Sequence, residues 1–327
     1  MTNKRFFMCL ALALGVVCIF NAFLAVKVDS VPKFIMRQMR ATPRIDILFL
    51  GDSLMQSGLD VKSFASAWPA RNAAPAAFNA GLGSSSPVEH DLLADEAYLH
   101  HRAISSLVYG FHDLQLSVPQ GFAWGDLVGN RSMGYSTEPA KAASLYAPGS
   151  ILENWRFHLI GAVPMLREHS QLWKYVEVFR RFLHDVGMVK TRTNQFGRVA
   201  DFEVVALRDP SKFEQECERI VQNSSPLVPA VRELLRLAQA HDTHVIFVEM
   251  PVTSAHRKFG YSTAAWQQYR RYLQQQLQVA GATYAVASDW TSDDADFSDG
   301  LHLNKAGADA FSKKMAQFLA DDLHPHY

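Results

Sequence analysis

Cysteine is nearly missing from this chain, with three among 327 residues. Cys9 and Cys18 share one apolar run, so the remainder holds a lone thiol, Cys217. A disulfide within that remainder is excluded, and so is a cysteine-rich metal site. Cys217, inside FEQECERI, reads as a partly buried helix residue rather than a nucleophile. An excess of either charge is also lacking. Basic and acidic residues number 32 each, for a net charge of zero. A protein gripping nucleic-acid phosphates needs a basic surplus, so that class is disfavoured. Only 18 glycines, 14 prolines and no internal repeat leave no basis for a collagenous, low-complexity or solenoid chain. The 48% hydrophobic and 20% charged residues are a globular balance.

One long apolar run breaks this evenness. FFMCLALALGVVCIFNAFLAV, residues 6–26, carries no charge over 21 residues. At 1.5 Å per residue it makes roughly 31 Å of helix, enough to cross a bilayer's hydrocarbon. It is long for a cleaved signal core, and Phe23-Leu24-Ala25-Val26-Lys27 offers no clear exit site. Residues 1–29 are therefore read as an uncleaved anchor, with a cleaved signal or a buried helix as alternatives. Lys4 and Arg5 favour an inside N-terminus, whereas Lys27, Lys33, Arg37 and Arg40 oppose it. The short tail before the run tips the expectation toward a body outside the cytoplasmic membrane. Residues 30–43 form a juxtamembrane linker, either a basic amphipathic helix on anionic headgroups or a solvated connector.

Beyond residue 43 the pattern alternates strand and helix. RIDILFLG (44–51), AAFNAG (76–81), AISSLVYG (103–110), THVIFVEMP (243–251) and ATYAVA (282–287) read as strands. Helices are expected over 61–68, 87–101, 229–240, 266–279 and 305–319, the second opening with Pro87 at its first turn. Repeated strand–loop–helix units favour a parallel sheet covered on both faces. The middle departs from this. Residues 115–150 read as irregular, 151–185 as two helical stretches parted near Pro164, and 192–208 as a hairpin or extended lobe. The body, 44–327, is thus expected to be one α/β domain with an insertion around 115–230.

Two places carry chemistry. In Leu48-Phe49-Leu50-Gly51-Asp52-Ser53-Leu54 a serine follows an apolar strand and a glycine turn, at the sheet edge where ligands bind. In Ser298-Asp299-Gly300-Leu301-His302, an aspartate three residues before a histidine can fix its tautomer while the other ring nitrogen faces a nucleophile.

Gly51-Asp52-Ser53-Leu54 with Asp299-Gly300-Leu301-His302 resembles the GDSL, or SGNH, hydrolase superfamily. Either tetrad alone is weak; both, in this order and at element boundaries, are specific. The similarity spans roughly 44–113 and 243–320. It implies a flavodoxin-like three-layer α/β/α fold with a central parallel sheet, here preceded by one N-terminal transmembrane helix. It implies acyl transfer through a serine ester, with Ser53 as nucleophile, His302 as base and Asp299 as the orienting acid. The oxyanion hole is assigned to the Ser53 and Gly81 amides and to His112. The family's third block usually reads Gly-x-Asn-Asp, and here it is Gly110-Phe111-His112-Asp113. Histidine donates only through a nitrogen carrying hydrogen. Three roles for His112 stay open: adapted donor, orientation of the acceptor, or a weakened site.

Single-anchor members of this kind imply work on envelope polymers beside a multi-span membrane O-acyltransferase. The resulting expectation is an O-acyltransferase at the inner membrane acting on envelope carbohydrate, its catalytic domain extracytoplasmic or periplasmic. A tethered carbohydrate or lipid esterase and a noncatalytic scaffold are the alternatives. No cofactor, metal or nucleic acid is expected. The acidic stretch from Asp289 to Asp299 lacks calcium-loop spacing. Trp124, Trp155 and Trp266 read as packing residues ahead of a carbohydrate surface.

Overall fold

The computed structural model describes residues 3–27, 31–69, 73–101, 103–118, 139–146, 149–167, 209–291 and 293–323. It divides into two compact units, Met1–Arg37 with Gly121–Thr191, and Gln38–Gln120 with Arg192–Tyr327. Helices and strands are numbered along the whole chain.

The second unit is built on five parallel strands: β1 (Ile47–Gly51), β2 (Ala77–Asn79), β3 (Ser106–Phe111), β4 (His244–Glu249) and β5 (Thr283–Val286). Their order is β2-β1-β3-β4-β5. Every residue of β1 and β3 is buried, as a parallel sheet covered on both sides requires. Ile47, Phe49 and Val108 pack toward α3 (Ser53–Gly58), α4 (Val61–Ala67) and α12 (Lys305–Leu323). The opposite face is covered by α5 (Pro87–His100), α10 (Pro229–Ala240) and α11 (Ala264–Val279), with α9 (Pro210–Gln222) against α11. This is the flavodoxin-like three-layer α/β/α architecture. Each fully buried large apolar side chain contributes about 1.5–3 kcal/mol, so Phe49, Phe64 and Phe311 alone anchor one layer to the sheet.

That strand order has one functional consequence. The chain leaves β1 toward β2 on one side, then crosses back to β3 on the other. Between the carboxyl ends of β1 and β3 the flanking connections diverge and open a crevice. Ser53 follows β1 and His112 follows β3, so both stand at its rim.

The first unit holds α1 (Asn3–Lys27), α6 (Pro139–Tyr146), α7 (Ile151–Ala162) and α8 (Pro164–Arg167). The buried-helix alternative for residues 6–26 is overturned: Phe7, Leu12 and Ile19 are all more than 60% exposed. Residues 139–146, expected to be irregular, form α6; residues 119–138, 168–185 and 192–208 lie outside the described residues. Residues 30–43, expected to be a linker, contain α2 (Val31–Ala41). At its end Met39 is fully buried, its carbonyl accepts from His101 Nε2 at 2.8 Å, and Arg40 pairs with Glu96.

Candidate active site

Ser53 opens α3 directly after β1. Gly51, with φ of 150°, lies so close to β3 that a Cβ would meet Gly110 O at 2.6 Å. Only glycine permits that sharp exit from the strand. Asp52 then caps α3, its Oδ1 accepting from Leu54 N–H at 2.9 Å.

His302 reaches this serine from the loop before α12. Its Nε2 lies 2.8 Å from Ser53 Oγ, and its Nδ1 lies 2.8 Å from Asp299 Oδ2. With the ring proton on Nδ1 donated to the carboxylate, Nε2 presents a lone pair to the serine hydroxyl. Asp299 Oδ1 also accepts the backbone N–H groups of Leu301 and His302, at 2.9 and 2.8 Å. Partial burial alone would raise the Asp299 pKa, but the His302 ring and these two amides outweigh it and pull it down to about 2. Asp299 is therefore ionised throughout the neutral range. The loop itself is held by Ser298 N–H to His302 O at 2.8 Å and by Thr253 Oγ1 to Gly300 O at 3.1 Å.

His112 sits against the residue preceding the serine. Its Nδ1 is 3.1 Å from Asp52 Oδ2, an ion-pair contact whose angle is poor for a hydrogen bond. Burial alone would lower the His112 pKa. The adjacent Asp52 carboxylate, with a contribution from Asp113, reverses this and raises it to about 9. His112 is thus an imidazolium at neutral pH. Reciprocally, burial would raise the Asp52 carboxyl, and the His112 charge together with Leu54 N–H holds it below its ordinary value.

The donor role given to Gly81 is corrected. Its N–H already donates to Asn79 Oδ1 at 2.9 Å. A Cβ at this position would meet Gln56 N at 2.5 Å, so the glycine serves close packing against α3. The part of this turn beside the serine is two residues later: a Cβ at Gly83 would stand 3.8 Å from Ser53 Cβ. Gly83 N–H donates to Gln56 Oε1 at 3.0 Å. Ser84 follows in the left-handed region, φ 56°, and its N–H has no acceptor among the described residues.

Three supporting groups escaped sequence reasoning. His90 bridges Ser85 Oγ and Tyr109 Oη, both at 2.6 Å, beneath that turn. Complete burial lowers its pKa to about 4, against the pull of Asp52, so this ring is neutral where His112 is charged. Asp113, with φ of 48°, binds His256 Nε2 at 2.7 Å, and its N–H donates to Tyr261 Oη at 2.8 Å. Glu249, at the end of β4, is fully buried and takes Arg270 Nη2 at 2.6 Å and Tyr284 Oη at 2.5 Å. Apart from Ser85 and His90, none of these pairs is close in sequence.

Other candidates disperse. Cys217 is fully buried and its thiol is pushed up to about 12 by that burial, so it is no nucleophile. Trp266 is core, stacked on Tyr261 at 4.2 Å; Trp155 is exposed; Trp124 lies outside the described residues. Asp293 and Asp294 serve as backbone acceptors, for Ala295 and Ser254. A cleft of about 570 Å³ opens at the amino ends of β3 and β4, lined by Ser105, Thr243 and His244, on the edge opposite Ser53.

Neither a family model nor a curated protein matches the chain. Among solved structures it is similar to a candidate acylhydrolase from Bacteroides fragilis NCTC 9343, at 11% identity and TM-score 0.42 over 90% of this chain and 100% of that one. It is also similar to a carbohydrate acetylesterase from Sinorhizobium meliloti, at 9% identity and TM-score 0.36 over 85% and 99%.

Proposed function

We propose that this chain is a serine-dependent enzyme of the acyl-ester kind, held to a membrane by α1. The observation that carries the reading is the unbroken relay from Asp299 through His302 to Ser53, with both contacts at 2.8 Å. In it, His302 takes the Ser53 proton as Ser53 Oγ attacks an ester carbonyl, and Asp299 stabilises the resulting imidazolium. The tetrahedral oxyanion is received by the Ser53 N–H, the Ser84 N–H and the His112 cation. A charged donor held in place beforehand suits an oxyanion, because it costs no reorganisation when the negative charge develops. His302 then protonates the leaving alcohol, and an incoming hydroxyl releases the acyl group from Ser53.

The anchor reading is supported by one contact. Met165 N–H donates to Asn21 Oδ1 at 2.9 Å, so α1 is bonded to α8 in one unit. The body is assigned to the extracytoplasmic side, and the accepting hydroxyl to an envelope glycan, with a multi-span O-acyltransferase as the donor-side partner. A tether favours that arrangement by raising local concentration.

Fluorophosphonate labelling of the full chain, followed by peptide mapping, tests the core of this reading. The expected adduct is on Ser53 and vanishes in His302→Ala; no adduct at neutral or mildly alkaline pH would sink the enzyme. A labelled acyl donor with and without glycan then separates transfer from hydrolysis. If label passes only to water while suitable glycans stay unmodified, the protein is a tethered esterase.

A further inference from the structure

Helix α7 is apolar on two faces. Phe157 and Ile160 are buried on one side, with Phe157 against the Tyr146 ring of α6 at 5.7 Å. At 100° per residue, Ile151, Leu152, Trp155 and Leu159 fall together on the other side. They are 77%, 60%, 74% and 48% exposed. Single exposed apolar residues are ordinary on a protein surface, but a stripe of four along one helix marks a contact face.

What covers that face follows from where it sits. Three residues after α7 ends, the Met165 amide is bonded to Asn21, in the last quarter of the apolar run 6–26. The stripe therefore belongs to the same unit as the exposed apolar helix and is tied to it near one end. That end is where a spanning helix leaves the hydrocarbon. Tryptophan is enriched at this depth because its ring suits the boundary between acyl chains and headgroups. A helix of 12 residues, about 18 Å long, can lie in the boundary with its apolar stripe down.

We propose that α7 is a second membrane contact, seated in the headgroup–acyl boundary beside α1 through Ile151, Leu152, Trp155 and Leu159. This rests on the anchor reading of α1. Two attachment points restrain the unit's tilt about the membrane normal, which a single spanning helix leaves free.

The test uses the full chain with Cys9, Cys18 and Cys217 replaced by alanine. Single cysteines at Leu152, Leu159, Asn154 or Leu14 carry an environment-sensitive nitrobenzoxadiazole probe. Each variant is reconstituted into phosphatidylethanolamine–phosphatidylglycerol vesicles containing shallow spin-labelled lipid. Blue-shifted, quenched emission at Leu152 and Leu159, with water-like emission at Asn154, is the expected result. Blue-shifted emission at Leu14 alone, with water-like emission at Leu152 and Leu159, overturns the proposal and leaves the anchor standing. If Leu14 is also water-like and the chain fails to float with vesicles, the anchor reading falls and takes the proposal with it. Dry but unquenched probes at Leu152 and Leu159, with a disulfide between copies of Leu152→Cys, would assign the stripe to self-association instead. Unchanged far-UV circular dichroism in each variant excludes misfolding as the cause.

Discussion

Two aspartate–histidine pairs flank Ser53, one through His302 and one through the preceding Asp52, and the same residue types sit in opposite environments. Asp299 and His302 lie on a loop, with side chains 39% and 27% exposed. Asp52 and His112 lie at the ends of neighbouring strands, 9% and 22% exposed. In the loop pair the carboxylate is satisfied by three donors besides its charge, and the ring is left able to exchange a proton with Ser53. In the strand-end pair burial strengthens the attraction and the proton stays on. The difference teaches that environment rather than residue type divides a base from a fixed cation.

Breaking the loop pair has the largest expected effect. His302→Ala and Ser53→Ala each lower kcat by about 10⁴-fold or more, and Asp299→Asn by about 10⁴-fold through loss of the tautomer. Ester turnover by the purified full chain measures all three. Breaking the strand-end pair costs less: His112→Ala lowers kcat by about 10²–10³-fold, the cost of one oxyanion donor. Equal losses at His112 and His302 would refute the division of labour.

A pH series sharpens the contrast. The folded pKa of His112 is raised to about 9, so its charge, and the stability that charge adds, is complete below the ordinary histidine value and lost as pH rises through about 9. The wild-type rate should fall through that range, and His112→Asn should lack the fall. Asp52→Asn keeps the α3 cap, because Asn also accepts from Leu54 N–H, but removes the charge; the fall should then move to lower pH. For Asp299 the sign is reversed. Its depressed pKa adds stability that is present above the ordinary aspartate value and lost as pH falls through about 2. The smallest expected effect tests only the loop's seating. Asn304 Oδ1 accepts from Ala306 and Gly307 N–H at 2.9 and 3.1 Å. Asn304→Ala should cost about 1 kcal/mol in denaturant unfolding while sparing most activity.

Much of this was legible in the sequence because it is local. Helix α10 falls on the expected residues 229–240, and every strand lies inside its expected run except β3, which ends one residue beyond it at Phe111. Helix α3 is not legible, since six residues starting at the glycine turn carry no readable period. Asp299 and His302 could be paired by spacing. The His112 charge could not, because its cause, Asp52, arrives through the pairing of β1 with β3. The role given to Gly81 failed for a related reason. A glycine's place in a motif does not say where its N–H points, and here the Asn79 side chain decides that.

The four-residue turn from Asp299 to His302 carries both members of the proposed acid–base pair, already aligned by Asp299's bonds to the turn's backbone. Only one separation critical to the relay remains for the rest of the chain to set, the 2.8 Å between residues 53 and 302. It is set within the unit that holds the sheet, where β3 and β4 pair side by side from Ser106↔His244 onward. The chain between those strands supplies His112 and the covering helices α9 and α10, but neither side of that 2.8 Å contact. The relay and the buried cation beside it are thus set by different stretches of chain.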